Sequence, residues 1–121
     1  MIEVKENPKG GSGFDTLHTF EGWKVAFITS AEQYGEPKVL KRHTQTDEVF
    51  VLVNGKATLF TADGDEVPNE TELQKEKVYI VKSNTWHHLQ VSKDALLVVI
   101  ENSDTSKENT EIKKIKKEQT K

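Results

Sequence analysis

Apolar residues recur along the chain with a period close to two, and turn-forming residues interrupt them at short, fairly regular intervals. That alternation predicts strands and leaves no room for long helices. The run Trp23 to Thr29, WKVAFIT, is bounded by Gly22 and by the polar segment SAEQYGEP, and a further strand is expected from Lys38 to His43. Asp47 to Val53 and Lys56 to Ala62 flank Asn54-Gly55. An Asn-Gly pair between two β-rich runs predicts a hairpin, because both turn positions of the tightest hairpin loop need φ > 0. Beyond a polar stretch ending at Glu76, the runs Lys77 to Val81, Trp86 to Val91 and Ala95 to Glu101 predict three more strands. The last of them is apolar on both faces from Leu96 to Ile100 and is expected to lie centrally. Seven or eight short strands around one core imply an all-β sandwich or barrel. Its inner wall is expected to draw on Phe50, Leu52, Phe60, Val78, Ile80, Leu97 and Val99.

A length of 121 residues is room for one domain. Hydrophobic residues are 34% of the chain, so its core must be small. Residues 1–19, which include PKGGSG, are expected to form an arm, 20–103 the barrel, and 104–121 a charged tail, flexible or briefly helical. No apolar run approaches the ~18 residues that cross a bilayer, which predicts a soluble, cytoplasmic protein. Zero cysteines exclude disulfides, thiolate metal sites and a nucleophilic thiol.

The net charge of −3 divides unevenly. Residues 1–104 carry 11 Lys and Arg against 17 Asp and Glu, whereas 105–121 carry 6 Lys against 3 Glu. An acidic body repels phosphate backbones, so nucleic acid is not an expected partner. The basic tail offers only Ile112 and Ile115 as large apolar residues, too few for a membrane anchor.

Without cysteine, any metal must be held by His, Asp or Glu. Side chains two apart on a strand share a face, so Lys41 and His43 point the same way and His87 and His88 point oppositely. Glu48 opens the most apolar pair of strands, where an inward carboxylate needs a partner. His43, His87 and Glu48 converging in a barrel would make a site of two imidazoles and one carboxylate with open positions, suited to Fe, Mn, Ni or Zn. The plain structural alternative is a surface His43, a core-bonded His87 and a solvated Glu48.

The order of these residues carries a resemblance. GEPKVLKRHTQTDEVFVLVNG, Gly35 to Gly55, resembles the first motif of the cupin superfamily, G-x5-H-x-H-x3,4-E-x6-G, with Gly35, His43, Glu48 and Gly55 in place and Lys41 where the first histidine belongs. The second motif, G-x5-P-x-G-x2-H-x3-N, falls on Glu76 to Val91, where only His87 is kept and Glu76, Lys82, Asn84 and Val91 replace the other fixed residues. The strings KRH at 41–43 and WHH at 86–88 are also similar to those of ureidoglycolate lyase, a cupin-fold enzyme. The resemblance implies a cupin (RmlC-like jelly-roll) β-barrel of two packed antiparallel sheets, with Lys41, His43, Glu48 and His87 facing one pocket as catalytic or binding residues.

An ammonium group cannot ligate a metal without losing its proton, so Lys41 defines two states. In one, a divalent metal sits on His43, Glu48 and His87 with Lys41 turned toward a ligand. In the other no metal is bound, and Lys41 pairs with Glu48. The function expected on either is binding of a small polar metabolite. The alternatives are an enzyme of the lyase or isomerase kind, as in ureidoglycolate lyase, or a metal-dependent oxygenase. A homodimer is the expected assembly, because a small core gains by burying sheet surface against a copy.

Overall fold

The computed structural model describes residues 1–7, 11–64 and 67–115. In chain order its strands are β1 (Phe14–Phe20), β2 (Trp23–Thr29), β3 (Val39–His43), β4 (Glu48–Asn54), β5 (Ala57–Ala62), β6 (Asn69–Glu72), β7 (Tyr79–Val81), β8 (Trp86–Val91), β9 (Leu96–Asn102) and β10 (Thr110–Lys114). They form two five-stranded antiparallel sheets, ordered β1-β2-β9-β4-β7 and β10-β3-β8-β5-β6. The two sheets pack as a jelly-roll barrel, in which the chain passes from one sheet to the other at every connection except β1 to β2 and β5 to β6. Among the described residues no helix is long and apolar enough to cross a membrane.

The period-two pattern decides which side chains meet between the sheets. Ala26, Ile28, Phe50, Leu52, Leu97 and Val99 come from the first sheet, and Ala57, Leu59 and Leu89 from the second. Leu97 and Val99 are fully buried on β9, the middle strand of its sheet. Each such side chain contributes about 1.5–3 kcal/mol relative to exposure.

Four expectations are corrected. β4 and β5 are not a hairpin: β4 pairs with β7 and β9, β5 pairs with β6 and β8, and the Asn54-Gly55 turn carries the chain from one sheet to the other. Only Gly55 has positive φ, at 75°, so the turn lacks the two left-handed residues of the tightest hairpin loop. Val78 and Ile80 face solvent, because Tyr79 and Val81 take the inward parity of β7. Phe60 is buried, but in a second cluster with Leu40 and Ala62 on the outer face of the second sheet. The segments expected as arm and tail also supply strands: β1 extends the first sheet beside β2, and β10 covers the edge of β3. The helical reading of the tail fails over 110–114 because β3 offers an unpaired edge; residues 116–121 lie outside the described residues.

Gly55 is held tightly. A Cβ added there would stand 2.7 Å from both Ala95 Cα and Ser92 Oγ, on a backbone that disfavours side chains. Gly55→Ala should cost about 2 kcal/mol or more, read as a lower urea midpoint at unchanged slope. An unaltered midpoint would contradict the packing at this corner.

Candidate functional site

Lys41 on β3 stands directly across from His87 on β8, and cross-strand partners share a face. His43, two residues from Lys41, shares it as well. Glu48 approaches from the first residue of β4, in the opposing sheet. All four line one cavity of about 520 Å³, walled further by Phe14, Tyr34 and Phe50. Glu48 and His87 are buried, at 6% and 7% exposure.

Glu48 Oε1 lies 3.3 Å from His43 Nε2 and 3.1 Å from His87 Nε2. The far ring nitrogens are also engaged: His43 Nδ1 is 2.9 Å from Thr110 Oγ1, and His87 Nδ1 is 3.0 Å from the Thr85 carbonyl oxygen. A carbonyl only accepts, so His87 Nδ1 carries the hydrogen and donates it. His87 Nε2 then faces a carboxylate oxygen, and two lone pairs at 3.1 Å repel unless a cation lies between them. That cation is either a second proton on the ring or a metal ion.

The electrostatics of the metal-free site follow from the same contacts. Burial pushes the Glu48 carboxyl up, but hydrogen bonds and charge from His43 and His87 outweigh it and hold the group at about 2. Burial lowers His43, and the hydrogen bond and charge of Glu48 more than reverse this, so its imidazolium is favoured. Burial pushes the Tyr34 hydroxyl up to about 12, which makes it a neutral wall of the cavity.

The donor set fits a divalent ion. Ligand atoms of His43, Glu48 and His87 all lie within 4.8 Å of one another. Bonds of about 2.0–2.2 Å to one ion set neighbouring donors about 3.0–3.4 Å apart, and both N–O separations fall in that range. A second ring nitrogen fixed by a carbonyl or hydroxyl is how metal-bound imidazoles are usually oriented.

The expected Lys41–Glu48 pair is not formed. Among the described residues the ion pairs of Glu48 are with His43 and His87, both at its Oε1. Lys41 is exposed at the cavity rim, where its charge disfavours protonation of His43 and His88. His88 points away from His87 and contacts the Gly35 carbonyl at 2.8 Å. Arg42 turns outward to Glu111, at 2.6 Å, as its opposite parity predicts. Trp86 lies on the outer face of the second sheet, with the Arg42 guanidinium and the Lys113 ammonium over its ring, 4.6 and 4.5 Å from the centroid.

Thr110 and Glu101 are among the cavity residues that the sequence reading missed. Thr110, which orients His43, lies in the segment read as a tail, and its sequence context carries no signal. Glu101 is 6% exposed and lines the same cavity. Its parity with Leu97 and Val99 on β9 was the available signal, since both are inward.

No family model and no curated protein matches the chain by sequence. Solved structures do match. A cupin-2 domain protein of Shewanella frigidimarina is 17% identical, with 74% of this chain and 78% of that one covered and a TM-score of 0.57. The chain has the cupin fold. A variant of Streptomyces PAC13 with uridine is 10% identical, with 95% and 93% covered and a TM-score of 0.65, and Pac13 is described as a nucleoside dehydratase. The TDP-quinovose 3,4-ketoisomerase WlaRB of Campylobacter jejuni is 16% identical, with 71% and 66% covered and a TM-score of 0.58. Glu76 and Asn84, which stand where the second cupin motif has glycine, both have positive φ, at 67° and 66°. The backbone keeps the motif's left-handed turns where the residues have changed.

Proposed function

We propose that the cavity binds a small polar metabolite at a divalent ion held by His43, Glu48 and His87, with Lys41 at the rim to meet an anionic group of the ligand. The observation that carries this is the convergence of two imidazole nitrogens on one buried carboxylate oxygen, at separations that donors around a single ion would take. Three nitrogen and oxygen donors with open positions suit Fe, Mn, Ni or Zn. When bound, the ion would polarise a ligand oxygen. This chain's own residues then orient the ligand and exclude water, through Phe14, Tyr34 and Phe50 on the walls and Lys41 at the mouth.

The test is mass spectrometry of small molecules released on denaturing untagged protein, beside Lys41→Met. The wild-type chain should release a bound polar metabolite, and the variant about tenfold less. Because Lys41 is exposed and unpaired with Glu48, its unfolding free energy should stay within about 0.5 kcal/mol of wild type. Equal retention by both proteins would remove Lys41 from the site, and a loss of about 3 kcal/mol would restore the Lys41–Glu48 pair.

A second reading, turnover by a lyase or isomerase step, is favoured by His43 and Glu48, which share a proton path at 3.3 Å inside the cavity. The dehydratase and ketoisomerase activities of the fold neighbours support the same reading by analogy. Appearance of a product from the retained molecule would favour it over binding alone.

We also propose a homodimer through the outer face of the first sheet. Val25, Ile100, Val49 and Ile80 stand side by side across four strands, and Phe27, Val98 and Val51 form a parallel row. Ile80 and Ile100 are 57% and 39% exposed, an apolar face that a copy of itself would bury. Light scattering should give twice 13.7 kDa for the wild type and 13.7 kDa for Ile100→Lys. A wild-type monomer at high concentration would overturn the proposal.

A further inference from the structure

Glu101 is the one buried acid of the cavity that the proposed metal centre does not use. It projects from β9 on the inward parity of Leu97 and Val99, is 6% exposed, and lines the same cavity as Glu48 and His43. Its Oε2 has no hydrogen-bond partner among the described residues. Such an oxygen, shut off from water, is costly unless something completes it. The terminal torsion of a glutamate is broad, so a turn of the carboxyl presents either oxygen to the cavity.

The groups that face Glu101 limit what could complete it. Lys24 is its cross-strand partner on β2 and also lines the cavity, yet forms no ion pair with it; its ammonium lies over the Phe14 ring, 5.6 Å from the centroid. Lys24 and His43 favour its charge, and Glu48 opposes it, while the Thr105 hydroxyl donates to the Asn102 carbonyl oxygen. Burial is the largest influence, and with the Glu48 charge it raises the carboxyl above its ordinary range. Whether charged or neutral, a carboxyl is matched by a hydroxyl, which can both accept from COOH and donate to COO⁻. An ammonium ligand would meet Lys24 and Lys41 in the same cavity.

We propose that Glu101 contacts the ligand directly, pairing with a hydroxyl group of a polyhydroxylated acid whose carboxylate lies toward Lys41. This rests on the cavity being a metabolite site and adds the class of metabolite.

The test is isothermal titration calorimetry of the full chain as purified with two six-carbon acids, gluconate and hexanoate, for wild type, Glu101→Gln and Glu101→Leu. Wild type should bind gluconate at least tenfold more tightly than hexanoate. Glu101→Gln, which keeps a hydrogen-bonding amide, should hold that preference within about threefold. Glu101→Leu should lose it through weaker gluconate binding, with hexanoate affinity unchanged or improved. Circular dichroism matched to wild type excludes misfolding, and Glu101→Ala, which also removes the hydrogen-bonding group and should lose the preference, carries the test if the leucine variant fails to fold. Binding of both acids without a preference, or a preference that survives in Glu101→Leu, overturns the role of Glu101 alone. Failure of wild type to bind either acid overturns the metabolite site and the Glu101 assignment together.

Discussion

Glu48→Gln should lower the affinity of the chain for zinc or nickel about a hundredfold or more, while His18→Ala leaves it unchanged. Loss of groups that merely orient a ligand typically weakens a site 10- to 100-fold, and Glu48 is itself a donor and the only one of the three with a negative charge. Glutamine keeps the shape and removes the charge. His43 and His87 remain, oriented by Thr110 and Thr85, but the oxygen on which both converge becomes a weak neutral donor or a competing amide. His18 stands apart on β1, its ring 5.7 Å from that of Trp23, and serves as the surface control. Competition against a chromophoric chelator reads the difference directly. Equal affinity of wild type and Glu48→Gln would mean that the three side chains cluster for charge balance and hold no ion.

The fold was legible where one signal decided it. Trp23 to Thr29 and Leu96 to Ile100 are continuous β-rich runs, and the structure puts them side by side as β2 and β9. The Asn54-Gly55 turn misled because local turn chemistry says that a chain reverses, not which sheet it enters next. β4 and β5 each find both neighbours elsewhere, a long-range pairing that no short window contains. Val78 and Ile80 misled for a different reason. Strand parity fixes two sets of residues, and apolar character alone chose the wrong set, since Tyr79 also packs on the core and the outer face is itself apolar.

The site was legible in a different measure. Lys41, His43, Glu48 and His87 were placed in one pocket by motif order, which stands in for the long-range contacts that periodicity cannot give. Their pairing was not legible. Opposite charges in one pocket made a Lys41–Glu48 pair the expectation, yet two imidazoles take the carboxylate oxygen instead. Thr110 lay beyond reach, because a polar residue in a charged segment becomes an orienting group only after β10 has paired with β3.

The metal-free chain should be most stable between about pH 4.5 and 6.5 and lose about 3 kcal/mol as the solution is taken toward pH 2. Glu48 falls from 4.5 to about 2 on folding. A depressed carboxyl stabilises the fold above its unfolded value, and that contribution disappears as pH falls through the folded one; 1.36 kcal/mol per unit gives the magnitude for this buried group. His43 is shifted the opposite way, upward from 6.5, so its contribution is complete below 6.5 and is lost as pH rises through its folded value. Glu101, raised above 4.5 by burial and the Glu48 charge, likewise favours the folded state at the acidic side and opposes it as pH rises. All three therefore place the optimum in mildly acid solution. Urea titrations of chelator-treated protein from pH 2 to 8 should trace this maximum, and Glu48→Gln should flatten its acid limb while leaving the decline above pH 6.5 smaller, because His43 has lost the charge that raised it. A wild-type profile that stays level from pH 6 down to pH 3 and below would show that Glu48 is not held by the two histidines in solution, and an unchanged acid limb in Glu48→Gln would assign that limb to other carboxylates.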